Sequence, residues 1–154
     1  RLVPGGDVRL RFVGIVHCDE VVKDAEGNVV ELRCTLDPES RPGGSGTDRK
    51  VKGTIPWVSA AHAVRAEVRM YDRLFAVPAP DEVPEGQTYR DNLNPASKRT
   101  GHAWVEPSLA ELAPEQNVQF ERLGWFVADR RDHSARRPVF NRTVTLRDTW
   151  ARGT

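Results

Sequence analysis

The chain has 154 residues, 38% of them hydrophobic and 29% charged, with a formal net charge of +1. That length suits one ordinary domain or two small ones with a buried core, and the composition excludes a disordered polymer. No apolar run approaches the roughly 20 residues of a membrane-spanning helix, so no membrane partner is expected.

Positions 1–6 lack the basic start and apolar middle of a signal peptide, and a chain opening on Arg1 rather than Met reads as a piece of something longer. Positions 8–13 then alternate, with Val8, Leu10 and Phe12 on one face and Arg9, Arg11 and Val13 on the other. Period two predicts a half-buried strand with its basic residues outward. Extended chain continues over 13–22. The run Lys-Asp-Ala-Glu-Gly-Asn at 23–28 supplies a turn in which Gly27 takes positive φ, and 29–36 returns to close a hairpin. The loop 38–48 is rich in Gly, Ser and Pro and reads as exposed. A further strand is expected over 50–57, a helical turn capped by Ser59 over 59–64, and another strand over 67–75. Positions 78–95 are too polar for a core and read as a long connection. Short strands are expected at 102–106, 118–122, 124–128 and 139–146, with a short helix over 107–113. Many short strands and few helices indicate an all-β barrel or sandwich. No internal repeat and no low-complexity tract is evident.

Charge is segregated along the chain. Positions 78–121 carry three basic and eight acidic side chains, a net of −5, whereas 122–154 carry eight basic and three acidic, a net of +5. A near-neutral protein can present a positive face in this way, and phosphate binding follows the local field. Two cysteines, Cys18 and Cys34, are too few for a disulfide framework and suit a reducing, cytoplasmic setting. With the intervening turn centred on Glu26 they lie opposite each other on paired strands. A metal site using His17, Cys18 and Cys34 lacks paired ligand spacing, so small buried thiols are the better reading.

Strong catalytic signatures are missing: there is no GxxxxGK[ST], HExxH, GxSxG or Gly-rich dinucleotide turn. Ser59, His62 and Asp72 can be drawn as a nucleophilic triad, but three residues' separation within one turn makes capping the better account of the serine. What the chain offers instead is arginine on strands. Arg9 and Arg11, two apart, project from one face, and a guanidinium can pair with a base edge, stack on it or hold a phosphate. Single-stranded RNA loops are read by such groups together with amides and aromatics. The stretch Gln119-Phe120-Glu121-Arg122 adds an amide and a guanidinium beside an aromatic; for Gln119 and Arg122 to reach one base, a bulge or strand end is needed there. Taken one at a time, each of these side chains is equally well an ordinary surface charge.

Longer segments shift that balance. Positions 50–75, KVKGTIPWVSAAHAVRAEVRMYDRLF, closely resemble a stretch of glutaminyl-tRNA synthetases, and 138–150, PVFNRTVTLRDTW, is similar to the end of the same family's C-terminal region. VRLR at 8–11, VEPSLA at 105–110 and QFER at 119–122 fall in the family's order. The resemblance covers essentially the whole chain. It departs at Pro56, where the family usually has His, and at Arg65, where it usually has Pro.

The resemblance implies two six-stranded-type β-barrels like a ribosomal protein of the L25 type, with minor short helices. On that expectation 1–76 forms one barrel, of the distal type, and 77–154 a long connection and the returning strands of a second, proximal one. It implies that Arg1 meets the third anticodon base, Arg9 and Arg11 the first base and its phosphate, and Gln119 and Arg122 the middle base. It further implies a partner, the anticodon loop of tRNA-Gln, and a catalytic domain in cis. ATP and magnesium serve that domain, with no cofactor expected in this stretch, and the molecule is expected to be monomeric. Three rivals stand beside this reading: the corresponding region of an archaeal or eukaryotic-type glutamyl-tRNA synthetase, a 5S RNA-binding protein of the L25 type, and a hydrolase using Ser59 and His62.

Overall fold

The computed structural model describes residues 2–145, and the all-β class expected from the sequence is what it shows. Two compact units divide as Arg1–Trp57 and Val58–Thr154. The first holds a four-stranded sheet in the order β3-β2-β1-β4, from β1 (Asp7–Leu10), β2 (Gly14–Lys23), β3 (Val29–Asp37) and β4 (Thr54–Ile55). The second holds a five-stranded sheet in the order β6-β5-β9-β8-β7, from β5 (Val64–Tyr71), β6 (Lys98–Val105), β7 (Asn117–Phe120), β8 (Gly124–Ala128) and β9 (Val139–Val144). Three-residue to five-residue 3-10 turns at Pro38–Ser40, Tyr89–Asn92 and Pro107–Glu111 make up the helical content among the described residues. The dividing line at 57/58 precedes the one expected at 76/77. The reason is pairing: β5 bonds to β6 antiparallel and to β9 parallel, and so belongs with the later strands.

In the first unit the β2–β3 hairpin has the anticipated register, with Cys18 directly opposite Cys34. Asp24 organises its turn: the carboxylate accepts hydrogen bonds from the backbone N–H groups of Glu26 and Asn28 and from the Asn28 amide. Gly27 takes φ 85° there, as a turn reversing within five residues requires. Cys18 is buried, but Cys34 is exposed because β3 is an edge strand, so only one thiol follows the expectation. The expected strand over 50–57 contracts to Thr54–Ile55.

The core of the second unit gathers Ala66 and Val68 of β5, Val105 of β6, Phe120 of β7, Phe126 and Ala128 of β8 and Phe140 of β9. Phe120 stacks on Phe126 at 4.2 Å between centroids and meets Phe140 edge-on at 5.4 Å. Such pairs add about 0.5–1.5 kcal/mol beyond the area they bury. The expected strand over 67–75 lies earlier, at Val64–Tyr71, and Arg65 is therefore an exposed strand residue opposite Trp104. Ser59 accepts backbone bonds through its carbonyl, from His62 and Ala63, while its hydroxyl meets His62 Nδ1 at 3.0 Å. It is thus not the side-chain cap that was expected.

A repeat does exist, contrary to the reading of the bare sequence. Positions 3–19 recur at 113–129, each number raised by 110, with Pro4/Pro114, Val8/Val118, Gly14/Gly124 and Asp19/Asp129 identical. Backbone geometry repeats more faithfully than side chains. Positive φ falls at Gly5 (65°) and Glu115 (70°), at Phe12 (62°) and Arg122 (62°), and at Gly14 (152°) and Gly124 (144°). Hydrogen bonds repeat too: Val13 N to Leu10 O matches Leu123 N to Phe120 O, and Cys18 N to Gly6 O matches Ala128 N to Gln116 O.

Candidate nucleic-acid interface

Each repeated hairpin turns through three residues, 11–13 in the first and 121–123 in the second, with the left-handed residue in the middle. The glycine that follows is required. A Cβ on Gly14 would lie 2.9 Å from Ser40 Oγ, and one on Gly124 would lie 2.5 Å from the Val144 carbonyl oxygen. This geometry corrects the strand expected over 8–13. β1 stops at Leu10, and the turn throws Phe12 outward, 83% exposed, instead of into the core.

Arg9 and Arg11 consequently do not share a strand face. Arg9 remains on β1, half-buried, and its guanidinium donates to three backbone carbonyls of the following loop: Ser40 at 3.2 Å, Thr47 at 2.7 Å and Arg49 at 2.9 Å. These contacts fix the side chain without cancelling its charge. Ser40 completes the clasp from a fully buried position: its hydroxyl accepts from Ile15 N at 2.6 Å and donates to the Asp37 carbonyl. Arg11 lies in the turn, exposed, with its guanidinium carbon 5.0 Å from the centroid of the Phe12 ring. Its backbone is held at both ends, N–H to the Ile55 carbonyl and carbonyl to the Trp57 indole at 3.0 Å. A shallow cavity of about 200 Å³ opens beside this turn, lined by Arg9, Leu10, Phe12, Val13, Gly14, Pro42 and Thr47.

In the second unit Gln119 sits exposed on β7, opposite Trp125, and Arg122 is the exposed centre of the turn that ends the strand. The strand end needed for both to serve one nucleotide therefore occurs at this position. Arg1 lies outside the described residues. Sequence reasoning overlooked Phe12, Ser40, Thr47 and Trp57. The tryptophan was available, within the family-like stretch 50–75; the others acquire their meaning only from the turn.

A second charged cluster is structural. Arg69, with a side chain only 10% exposed, meets Glu67 at 2.7 Å, Asp129 at 3.2 Å and Asp132 at 2.6 Å. Burial alone would lower the guanidinium's pKa, but the hydrogen-bonded carboxylates of Glu67 and Asp132 carry it above its ordinary value. Asp129 is lowered to about 2, chiefly by the Asn141 amide, with backbone N–H groups and Arg69 adding to it. Glu67 is lowered by hydrogen bonds from Arg137 and Arg69. Such mutual satisfaction is what permits charge between packed strands.

Asp72 spends a carboxylate oxygen on the Arg73 N–H, while Ser59 and His62 pair with each other at the surface. His17 is turned to Asp7 at 2.7 Å, and no group of three metal-ligating side chains comes together among the described residues. No helix among them is long and apolar enough to cross a membrane.

Two strand-held turns, one in each unit, present guanidinium, amide and aromatic groups to solvent. Residues 54–129 match the family model described as the anti-codon binding domain of class I tRNA synthetases (E and Q). Over 152 residues, 99% of the chain, it is 68% identical to a glutamine–tRNA ligase of Xanthomonas campestris pv. campestris (strain 8004). It is 64% identical over the same span to one of Xylella fastidiosa (strain M12). The chain belongs to the anticodon-binding C-terminal region of the glutaminyl-tRNA synthetase family. It spans about a quarter, 26%, of the length of these curated relatives.

Proposed function

We propose that the chain selects tRNA-Gln by its anticodon on behalf of a glutamine–tRNA ligase. In that enzyme a catalytic domain in cis activates glutamine with ATP and magnesium, and the molecule acts in the cytoplasm as a monomer. The observation that carries this reading is the placement of the anticodon-type residues on and beside two repeated turns: Arg9 and Arg11 around Phe12 in one, Gln119, the counterpart of Arg9, and Arg122, the counterpart of Phe12, in the other. Under this reading the two units are the distal and proximal barrels of the family, and Arg1 meets the third base.

The side-chain types suit the task. A site built to hydrogen-bond a base leaves polar groups unpaired when another base enters, and a good bidentate pair is worth about 1–3 kcal/mol of discrimination. Gln119 and Arg122 read the middle base; Arg11 and Arg9 hold the first base and its phosphate. Filter binding of anticodon stem-loops tests this assignment. Gln119→Ala and Arg122→Ala are expected to reduce the preference for the cognate middle base by tenfold or more while weakening general affinity less. Equal losses for cognate and middle-base-substituted RNA would show that the two residues do not read that base. A stem-loop of tRNA-Glu serves as the rival ligand, and preference for it would move the reading to a glutamyl enzyme.

A further inference from the structure

Phe12 is an odd residue for its place. Left-handed φ is disfavoured for a residue with a Cβ and suits Gly or Asn, yet the middle of this turn is a phenylalanine at φ 62°. Nor does the ring contribute to folding by burial, since it is 83% exposed. A position that is strained and apolar toward water invites a functional account.

Three features around the ring agree on one. The Arg11 guanidinium lies 5.0 Å from the ring centroid, so a positive group already sits beside the aromatic face. The 200 Å³ cavity, with Arg9 in its wall, opens on the same side chain. The repeat places Phe12 at the position of Arg122, with the same φ of 62°. A flat apolar ring beside a guanidinium is the combination on which an unstacked base comes to rest, because every base offers a π face.

We infer that Phe12 is a stacking platform for a nucleotide of the bound RNA loop, the first base of the anticodon, with Arg11 beside it. The inference rests on the reading under Proposed function and deepens it. In the first turn the middle residue supplies a surface; in the second it supplies a hydrogen-bonding head.

The test uses the chain with a tRNA-Gln anticodon stem-loop, by fluorescence anisotropy at fixed salt, comparing Phe12→Gly and Phe12→Tyr with the parent. Phe12→Gly is expected to bind about tenfold more weakly, within the range that single-base stacking spans. Phe12→Tyr is expected to stay within about twofold. An abasic nucleotide at the first anticodon position should remove the difference between parent and Phe12→Gly. The melting temperature of Phe12→Gly should equal or exceed the parent's, because glycine adopts positive φ freely. Undiminished binding by Phe12→Gly overturns the inference, as does a tenfold loss that persists with the abasic RNA. If the parent chain binds no stem-loop, the proposed function itself fails, which the parent measurement alone reveals.

Discussion

The turn centred on Phe12 and the turn centred on Arg122 share a backbone and differ in nearly everything attached to it. Both follow a four-residue strand, both put a non-glycine residue at φ 62°, and both resume through a glycine on which a Cβ would collide with a neighbour. Arg9 in the first corresponds to Gln119 in the second, and the first guanidinium is clasped by the carbonyls of Ser40, Thr47 and Arg49 whereas Gln119 is exposed on β7. The difference teaches that the frame and the chemistry are separable. A rigid left-handed turn supplies a fixed exit for one side chain, and the residue placed there decides what that exit does.

The two units also differ in where they keep their charge, and this sets the largest expected effect. The second unit buries Arg69 among Glu67, Asp129 and Asp132, whereas in the first unit Arg33 pairs with Glu20 and Glu31 at the surface. Replacing Arg69 by Met leaves the part-buried Asp129, and Asp132 with it, without that cation and Glu67 with Arg137 as its remaining partner. The expected loss is about 3–5 kcal/mol from the second unit. Residue-resolved amide exchange would localise it, and protection lost equally from Arg1–Trp57 would break the comparison.

Next come the paired glycines. Gly124→Ala drives a Cβ to 2.5 Å from a backbone carbonyl that the sheet holds in place, at φ 144°. Gly14→Ala drives one to 2.9 Å from a hydroxyl, which moves more readily, at φ 152°. Overpacking and a strained φ together predict about 3 kcal/mol for Gly124→Ala and about 2 kcal/mol for Gly14→Ala in urea unfolding. The reverse order would mean that Ser40 is held more rigidly than Val144.

How much of this was legible in the sequence follows from the range of the interactions. The β2–β3 hairpin was readable because alternation, Asp24 and Gly27 all lie within it. Phe12 was misplaced because the alternating pattern runs on through 11–13, and a left-handed turn centred on phenylalanine carries no glycine to announce it. Gly14 and Gly124, each two residues past a turn centre, were the signal that could have revealed both turns and with them the repeat. Arg69 was unreadable because its partner Asp129 is 60 positions away. The family likeness named Arg9, but could not tell that three carbonyls 31 to 40 positions on hold its guanidinium.

That clasp gives a third, smaller contrast. Arg9→Gln should cost the first unit about 2 kcal/mol, since the carbonyls of Ser40, Thr47 and Arg49 lose a charged donor while staying partly solvated. Gln119→Arg at the matching position of the second unit, exposed on β7, should stay within about 0.5 kcal/mol. Comparable losses at the two positions would show that the clasp is not what separates them.

The smallest expected effect is a difference in acid sensitivity. Asp129 has a folded-state pKa of about 2 against an ordinary 3.8, so it contributes stability that is fully present above pH 4 and lost as pH falls through about 2. Glu67 is lowered as well, which gives the same sign. In the first unit Asp24 is also lowered, but it lies in the surface turn, where its hydrogen bonds compete with water. Titrating from pH 5 to pH 2 should therefore weaken the second unit by about 1 kcal/mol more than the first, read from exchange protection within each sheet. Asp129→Asn keeps an oxygen for the neighbouring N–H groups but removes the ionisation, and should flatten most of that difference. A first unit that weakened as steeply would place the acid-sensitive charge somewhere other than around Arg69.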